Sequence, residues 1–275
     1  MGLMRNYILF SLFVLSFGLL AQNQTDAQGR KQGFWKKMDE KDPKVRVYEG
    51  TFKDGKPVGI FKYFYSFDSV KVIMNFKSDG TSYAKWYFPN GKLESFGKYV
   101  GPEKRDSVWI FYNEEGEMLS KEVYKDGKKN GPYIIYLPDG KVAEEKIYKM
   151  DVLEGPFKQY FDGKLVKGEG VYVNGGLEGK VSYYFPNGIP VATGYYKNGN
   201  KVGPWIYRKE NGKVSETELY KDGHLCDEKT TKAFFEKTKI KDEFPVKEEK
   251  KTQGGKPEQK KSTEQKPKST TPSKK

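Results

Sequence analysis

The chain has one cysteine and one histidine in 275 residues, and each scarcity removes a class of chemistry. An intramolecular disulfide needs two cysteines, so an oxidising compartment would leave this fold unstapled. His224 and Cys226 lie two apart in Lys221-Asp222-Gly223-His224-Leu225-Cys226, and the sequence offers no other His or Cys to complete a zinc site with them. A Ser-His-Asp or Cys-His nucleophile would have to use His224, at a turn, and the reading is a turn histidine beside a semi-buried thiol. Glu114-Glu115 and Glu144-Glu145 are adjacent, so on a strand they point to opposite faces and cannot form an acid/base pair. No G-x-x-x-x-G-K-[ST] or strand-linked G-x-G-x-x-G occurs. We therefore expect no catalytic residue, no cofactor and no metal. Long apolar runs are equally scarce: one, Tyr7 to Leu20, follows Arg5 and ends at Ala21.

Glycines and aromatics are plentiful, and they keep a period. The aromatics Phe52, Phe76, Tyr99, Tyr124, Tyr148, Tyr172, Tyr196 and Tyr220 are separated by 24, 23, 25, 24, 24, 24 and 24 residues. Gly91, Gly116, Gly140, Gly163, Gly188 and Gly212 keep nearly the same step independently. A period in the twenties marks an array in which each unit is one supersecondary element. Within a unit, Trp205 and Tyr207 alternate with Ile206 and Arg208, and Phe61/Tyr63, Ala84/Trp86, Trp109/Phe111, Tyr133/Ile135 and Val181/Tyr183 occupy the same face. Gln159, opposite Phe157, is the polar exception. Asn90-Gly91, Asp139-Gly140, Asn187-Gly188 and Asn211-Gly212 close one hairpin of each unit. Asp54-Gly55, Asp126-Gly127, Asn174-Gly175, Asn198-Gly199 and Asp222-Gly223 close the next. Gly203-Pro204 is read as the link into the following strand.

One such unit buries too few side chains to offset the entropy of ordering its backbone, so units must stack. The expected fold is all-β, an elongated single-layer antiparallel meander of consecutive hairpins. Eight units of two strands would make a ribbon of about 75 Å at about 4.8 Å per strand.

Tyr48-Glu49-Gly50-Thr51-Phe52-Lys53-Asp54-Gly55-Lys56-Pro57-Val58-Gly59 resembles the MORN consensus. The later GPW/GPY/GPF…NG…YKNG units resemble the variant MORN repeat found in bacterial toxin–antitoxin YwqK-family antitoxin proteins. The resemblance covers about residues 33 to 226 and implies hairpin-meander scaffolds that contact proteins or membranes, with an antitoxin-like binding protein as one form. Two departures stand out: Tyr99 is followed by Val-Gly-Pro-Glu, and Lys149-Met150-Asp151 lacks glycine.

In chain order, residues 1–21 have the form of a signal peptide, with an uncleaved anchor as the alternative, and an apolar run of about 14 residues is short for a span. No cysteine follows it to accept a lipid. Residues 22–32 read as a disordered linker and 33–226 as about eight repeats of about 24 residues. Residues 227–240 read as a cap in which Asp227 starts a short helix with Ala233, Phe234 and Ile240 toward the last hairpin. Residues 241–275 hold eleven Lys, six acidic residues and four prolines, the composition of a disordered tail. Of the formal charge of +13, five fall on this tail and one on Arg5, so the array is basic as well.

Aromatics at strict repeat spacing are first a structural ladder, and we assign Phe52, Phe76, Tyr99, Tyr124, Tyr148, Tyr172, Tyr196 and Tyr220 to it. Tyr112, Tyr136, Tyr160 and Tyr184, on the less uniformly apolar face, are the candidate interaction surface. The expectation is a non-enzymatic protein, exported to the periplasm, the cell surface or the medium. Its partner would be a protein or a cell-envelope component. Charge-driven attachment to anionic lipid or glycan is the alternative, and nucleic acid is not expected as a partner.

Overall fold

The computed structural model describes residues 22–238. They form one open antiparallel sheet of 19 strands and a single helix, Glu228–Thr238. Strands pair in chain order, from Gln24–Thr25 at one end to His224–Leu225 at the other, and the short Val152–Leu153 and the following Gly155–Tyr160 share Val142–Lys149 as partner, so all pairings are local hairpins. The signal-peptide assignment, Ile240 and the tail 241–275 lie outside the described residues.

Two turn types alternate, and the sequence chemistry explains both. At Asn198-Gly199 both residues have positive φ, 51° and 79°, the two-residue turn whose twist matches its flanking strands. Asp54-Gly55, Asp126-Gly127, Asn174-Gly175 and Asp222-Gly223 repeat it. The other turn places only its glycine, such as Gly91 or Gly188, in the left-handed region. There the N–H of Gly188 donates to the carbonyl of Phe185 at 2.8 Å.

Turns also connect units. The N–H of Gly199 donates to the carbonyl of Leu177, and that of Gly175 to the carbonyl of Leu153, both at 2.9 Å. Side chains reinforce this row: Glu154 accepts the N–H of Asn174 at 2.8 Å and Glu178 that of Asn198 at 2.7 Å.

Gly203-Pro204 is not the link it was expected to be. Asn200–Arg208 is one continuous strand, and the glycine lies inside it as a bulge with φ 65°. Thr193 pairs with Ile206 and Tyr195 with Val202, so three residues, 203–205, face the single Gly194. The surplus lifts the backbone and lays the Trp205 ring over Gly194. A Cβ on Gly194 would fall inside that ring, as it would at Gly97 under Trp109 and at Gly50 under Phe61. Each indole N–H is satisfied by a carbonyl of the adjoining strand, Lys98 for Trp109 at 3.0 Å and Tyr195 for Trp205 at 3.2 Å.

In three units the core of this single layer is therefore a ring seated on a glycine. Trp109 is 0% exposed, Trp205 2% and Phe61 2%. The eight repeat aromatics lie on the same face, and Phe52, Phe76, Tyr99 and Tyr196 lean edge-on against these rings, as Tyr196 does on Trp205 at 5.2 Å and 89°. Tyr99 and Tyr124 are buried and the other six are half-buried, so the repeat aromatics border the core and the ring after Gly-Pro fills it. Gln159, the polar exception, donates to Glu144 at 3.2 Å on this face.

Both ends differ from expectation. Residues 22–32 are not a free linker: Gln24–Thr25 pairs with Lys31–Met38, and the Asp26 carboxylate accepts from the N–H groups of Gln28 and Arg30 and from the side chains of Arg30 and Gln32. Desolvation raises its pKa, but those bonds together outweigh it and hold the pKa down at about 2. The Asn23 side chain bonds both the N–H and the carbonyl of Lys36, closing part of the edge. At the other end Asp227 caps the helix through the Thr230 N–H at 2.8 Å. Ala233 is exposed, however, while Thr231 is buried and Phe234 and Phe235 are half-buried, a rotation of the expected face.

Met150 and Asp151 adopt the two-residue turn without glycine, at φ 51° and 71°. A left-handed conformation costs a non-glycine residue roughly 1–2 kcal/mol, less for Asn. Met150→Asn should therefore raise stability by about 0.5–1 kcal/mol, read as a higher urea midpoint with an unchanged slope.

Candidate functional site

The two faces of the sheet have different chemistry. On the packed face a basic residue four positions before the core ring folds back over it. Lys201 Nζ lies 4.3 Å from the Trp205 ring centre and 4.9 Å from that of Tyr220, donates to Tyr207 at 2.9 Å and stands 3.6 Å from Glu218. Lys31 over Trp35, Arg105 over Trp109 and Lys129 over Tyr133 repeat the arrangement. Leu153 and Leu177 take the same position in the units between.

These charges are consumed internally. Glu122, buried, accepts from Ser120 and Tyr124 and pairs with Lys129 at 3.2 Å. Burial and that bond push the Tyr124 hydroxyl up to about 12. At Glu218, desolvation opposes ionisation, but hydrogen bonds from Tyr207 and Tyr220 and the charge of Lys201 outweigh it and hold the carboxyl below its usual range. Lys129, Lys201, Glu122 and Glu218 are all partnered, which makes this face a structural seam.

The opposite face is open. A row of residues exposed there runs across the strands: Phe34, Ile60, Tyr83, Val108, Ile147, Val171 and Tyr195. Most precede a repeat aromatic or follow a bulge glycine, so the periodicity that points one set of side chains into the core points this set outward. Pro132 pairs with Ile147, Pro156 with Val171 and Pro204 with Leu219, continuing the row.

Two shallow grooves lie along it. One, of about 320 Å³, is lined by Pro132, Ile134, Glu145, Ile147, Pro156 and Tyr160. The second, of about 300 Å³, is lined by Pro156, Lys158, Glu169, Val171, Lys180 and Tyr184. Pro132, Glu145, Ile147 and Tyr160 map onto Pro156, Glu169, Val171 and Tyr184 by a shift of 24 residues, so they are the same groove in successive units. The tyrosine lips are fixed alike, Tyr160 donating to Glu145 at 3.0 Å and Tyr184 to Glu169 at 2.8 Å.

The structure thus places Tyr160 and Tyr184 at groove lips. Tyr112 stacks on Phe96 at 6.5 Å, and Tyr112 and Tyr136 are half-buried at the equivalent bulges, paired with Met118 and Val142. Sequence reasoning missed the apolar row and the prolines within it. The signal was there from the fourth repeat aromatic on: Tyr124, Tyr148, Tyr172, Tyr196 and Tyr220 are preceded by Val123, Ile147, Val171, Tyr195 and Leu219. His224 is exposed and Cys226 half-buried at the terminal turn.

Residues 83–99, 129–150 and 177–198 match the family described as MORN repeat variant. These three segments are MORN repeats of the variant type. Each match takes in one hairpin and ends at or just before the turn that begins the next. The hairpins of Lys104–Tyr112 with Met118–Lys125, and of Asn200–Arg208 with Val214–Lys221, have the same pairing and bulges. MORN repeats are generally modules that bind proteins or membranes. The match describes the repeat alone and carries no toxin–antitoxin role. Among curated proteins, none matches the chain.

Because the folded pKa of Glu218 is depressed, its contribution to stability is full above the unfolded-state value and is lost as pH falls through the folded value. Glu218→Gln should lower stability at pH 7 by on the order of 1 kcal/mol, after allowance for solvent screening. It should also flatten the fall in stability below pH 5, measured by urea midpoints from pH 7 to pH 3.

Proposed function

We propose that this chain is an exported, non-enzymatic repeat scaffold that holds a protein partner or a cell-envelope component against its open face. The observation that carries the reading is the unpartnered row from Phe34 to Tyr195, repeated with the period of the fold. Contiguous exposed apolar surface on a soluble chain marks an interaction site, whereas scattered apolar residues do not. Rigidity supports the reading too: the row lies on strands, so its anchors are held in fixed register before any partner arrives. Export rests on the Tyr7–Leu20 run and the polar residues that follow Ala21. An antitoxin-like role would be one case of the same binding.

Lys85, Lys121, Lys158 and Lys180, all exposed, share the open face and favour a second reading, attachment to an anionic lipid or polysaccharide surface by charge. The two readings separate in one experiment. Capture of a partner from envelope extract should be abolished by Val171→Asp and by Tyr195→Asp, with melting temperatures within a few degrees of the parent, and should survive a rise from low to physiological salt. Capture that collapses with salt and ignores both substitutions contradicts the scaffold reading and supports the charged one. Recovery of the chain from the cytosol with Met1 intact contradicts export.

A further inference from the structure

Resting on the scaffold reading, the geometry points to the chemical class of its partner: an acidic, proline-rich peptide in the polyproline II conformation, lying across the strands along the open face. The argument begins with the repeat of the grooves. Pro132, Ile147 and Tyr160 in one groove become Pro156, Val171 and Tyr184 in the next, a translation of two strands, or about 9.6 Å. A polyproline II helix advances about 9.3 Å in each three-residue turn. One turn per groove therefore brings the same face of the peptide to each Tyr lip in succession, with a mismatch of about 0.3 Å per unit.

The backbone of the partner matters as much as its pitch. A ligand on the face of a sheet, away from its edges, finds no backbone donors or acceptors, because the ladder uses them all. Polyproline II has no internal hydrogen bonds and keeps its backbone solvated, so it lies on such a face with nothing left unpaired. Tyrosine- and proline-lined grooves are the surfaces that hold proline rings, as aromatic-lined grooves do for Pro-rich segments in general.

Charge chooses the remaining position of each turn. Lys158 and Lys180 are exposed beside the grooves and stand in no ion pair among the described residues. Glu145 and Glu169, by contrast, are half-buried and already accept hydrogen bonds from Tyr160 and Tyr184. Lys158, which lines both grooves, and Lys180, which lines the second, are the exposed cations there, and carboxylates of the peptide meet them.

The test uses the full-length chain and three synthetic peptides, (Pro-Pro-Glu)4, (Gly-Ser-Glu)4 and (Pro-Pro-Lys)4, in titrations followed by calorimetry. We expect (Pro-Pro-Glu)4 to bind at least tenfold more tightly than either control. Lys158→Glu and Lys180→Glu, at exposed positions, should each weaken it at least fivefold without moving the melting temperature, and Val171→Asp should do the same. Equal binding of (Gly-Ser-Glu)4 shows attraction by charge alone and overturns the proposal, as does binding by the variants at parental affinity. No binding of (Pro-Pro-Glu)4 at millimolar concentration overturns it too. If the peptide fails while capture from envelope extract still depends on Val171 and Tyr195, the peptide class is wrong and the scaffold stands. If both fail, the open face is not a binding surface.

Discussion

The best-buried side chains of this sheet depend on an aromatic ring lying on a glycine of the neighbouring strand. A single-layer sheet has no second layer to bury its side chains, so a large ring stays dry only by sinking into the sheet itself. The absence of a Cβ at Gly50, Gly97 and Gly194 makes the depression, and the bulge at Gly59, Ser107 and Gly203 drops Phe61, Trp109 and Trp205 into it. Where the floor residue is larger, the partner changes to suit. Met74 stands opposite Ala84, the same pair of positions with large and small exchanged.

This arrangement also decides which face is free. Sinking the rings to one side consumes that side's apolar surface, and the Lys and Arg side chains that fold over the rings, with Glu122 and Glu218 among them, consume its charges. Strand alternation then leaves the intervening residues on the other side with nothing to cover them. Hairpin turns hydrogen-bonded from unit to unit keep the spacing of those residues regular over many strands. A scaffold with a periodic open face follows from how the core is made.

The repeat and its turns were legible in the sequence because turn chemistry is local: Asn198-Gly199 or Asp126-Gly127 demands positive φ whatever surrounds it. The set of outward tyrosines followed from the same period. The bulge at Gly203-Pro204 was not legible, because a glycine followed by proline reads equally well as a connection between strands. What distinguishes the two is the pairing of Thr193 with Ile206 and Tyr195 with Val202, a long-range fact. Gly97 and Gly194 were passed over for a related reason. Neither sits in a turn dipeptide, and their use is visible only once Trp109 and Trp205 are seen above them. The edge made by Asn23 and Asp26 was missed because a polar composition resembles that of a linker until its hydrogen bonds are traced.

The most direct test of the ring-on-glycine account is the stability of Gly194→Ala. This glycine has ordinary strand dihedrals, so alanine meets no backbone strain there, and a helpful loss of chain entropy in the unfolded state would by itself stabilise the protein. The account predicts the reverse. One methyl group under Trp205 should displace the ring and cost about 1–3 kcal/mol in the urea midpoint. Amide protection should fall in both Pro190–Lys197 and Asn200–Arg208. A variant as stable as the parent, with protection unchanged in the two strands, would contradict it.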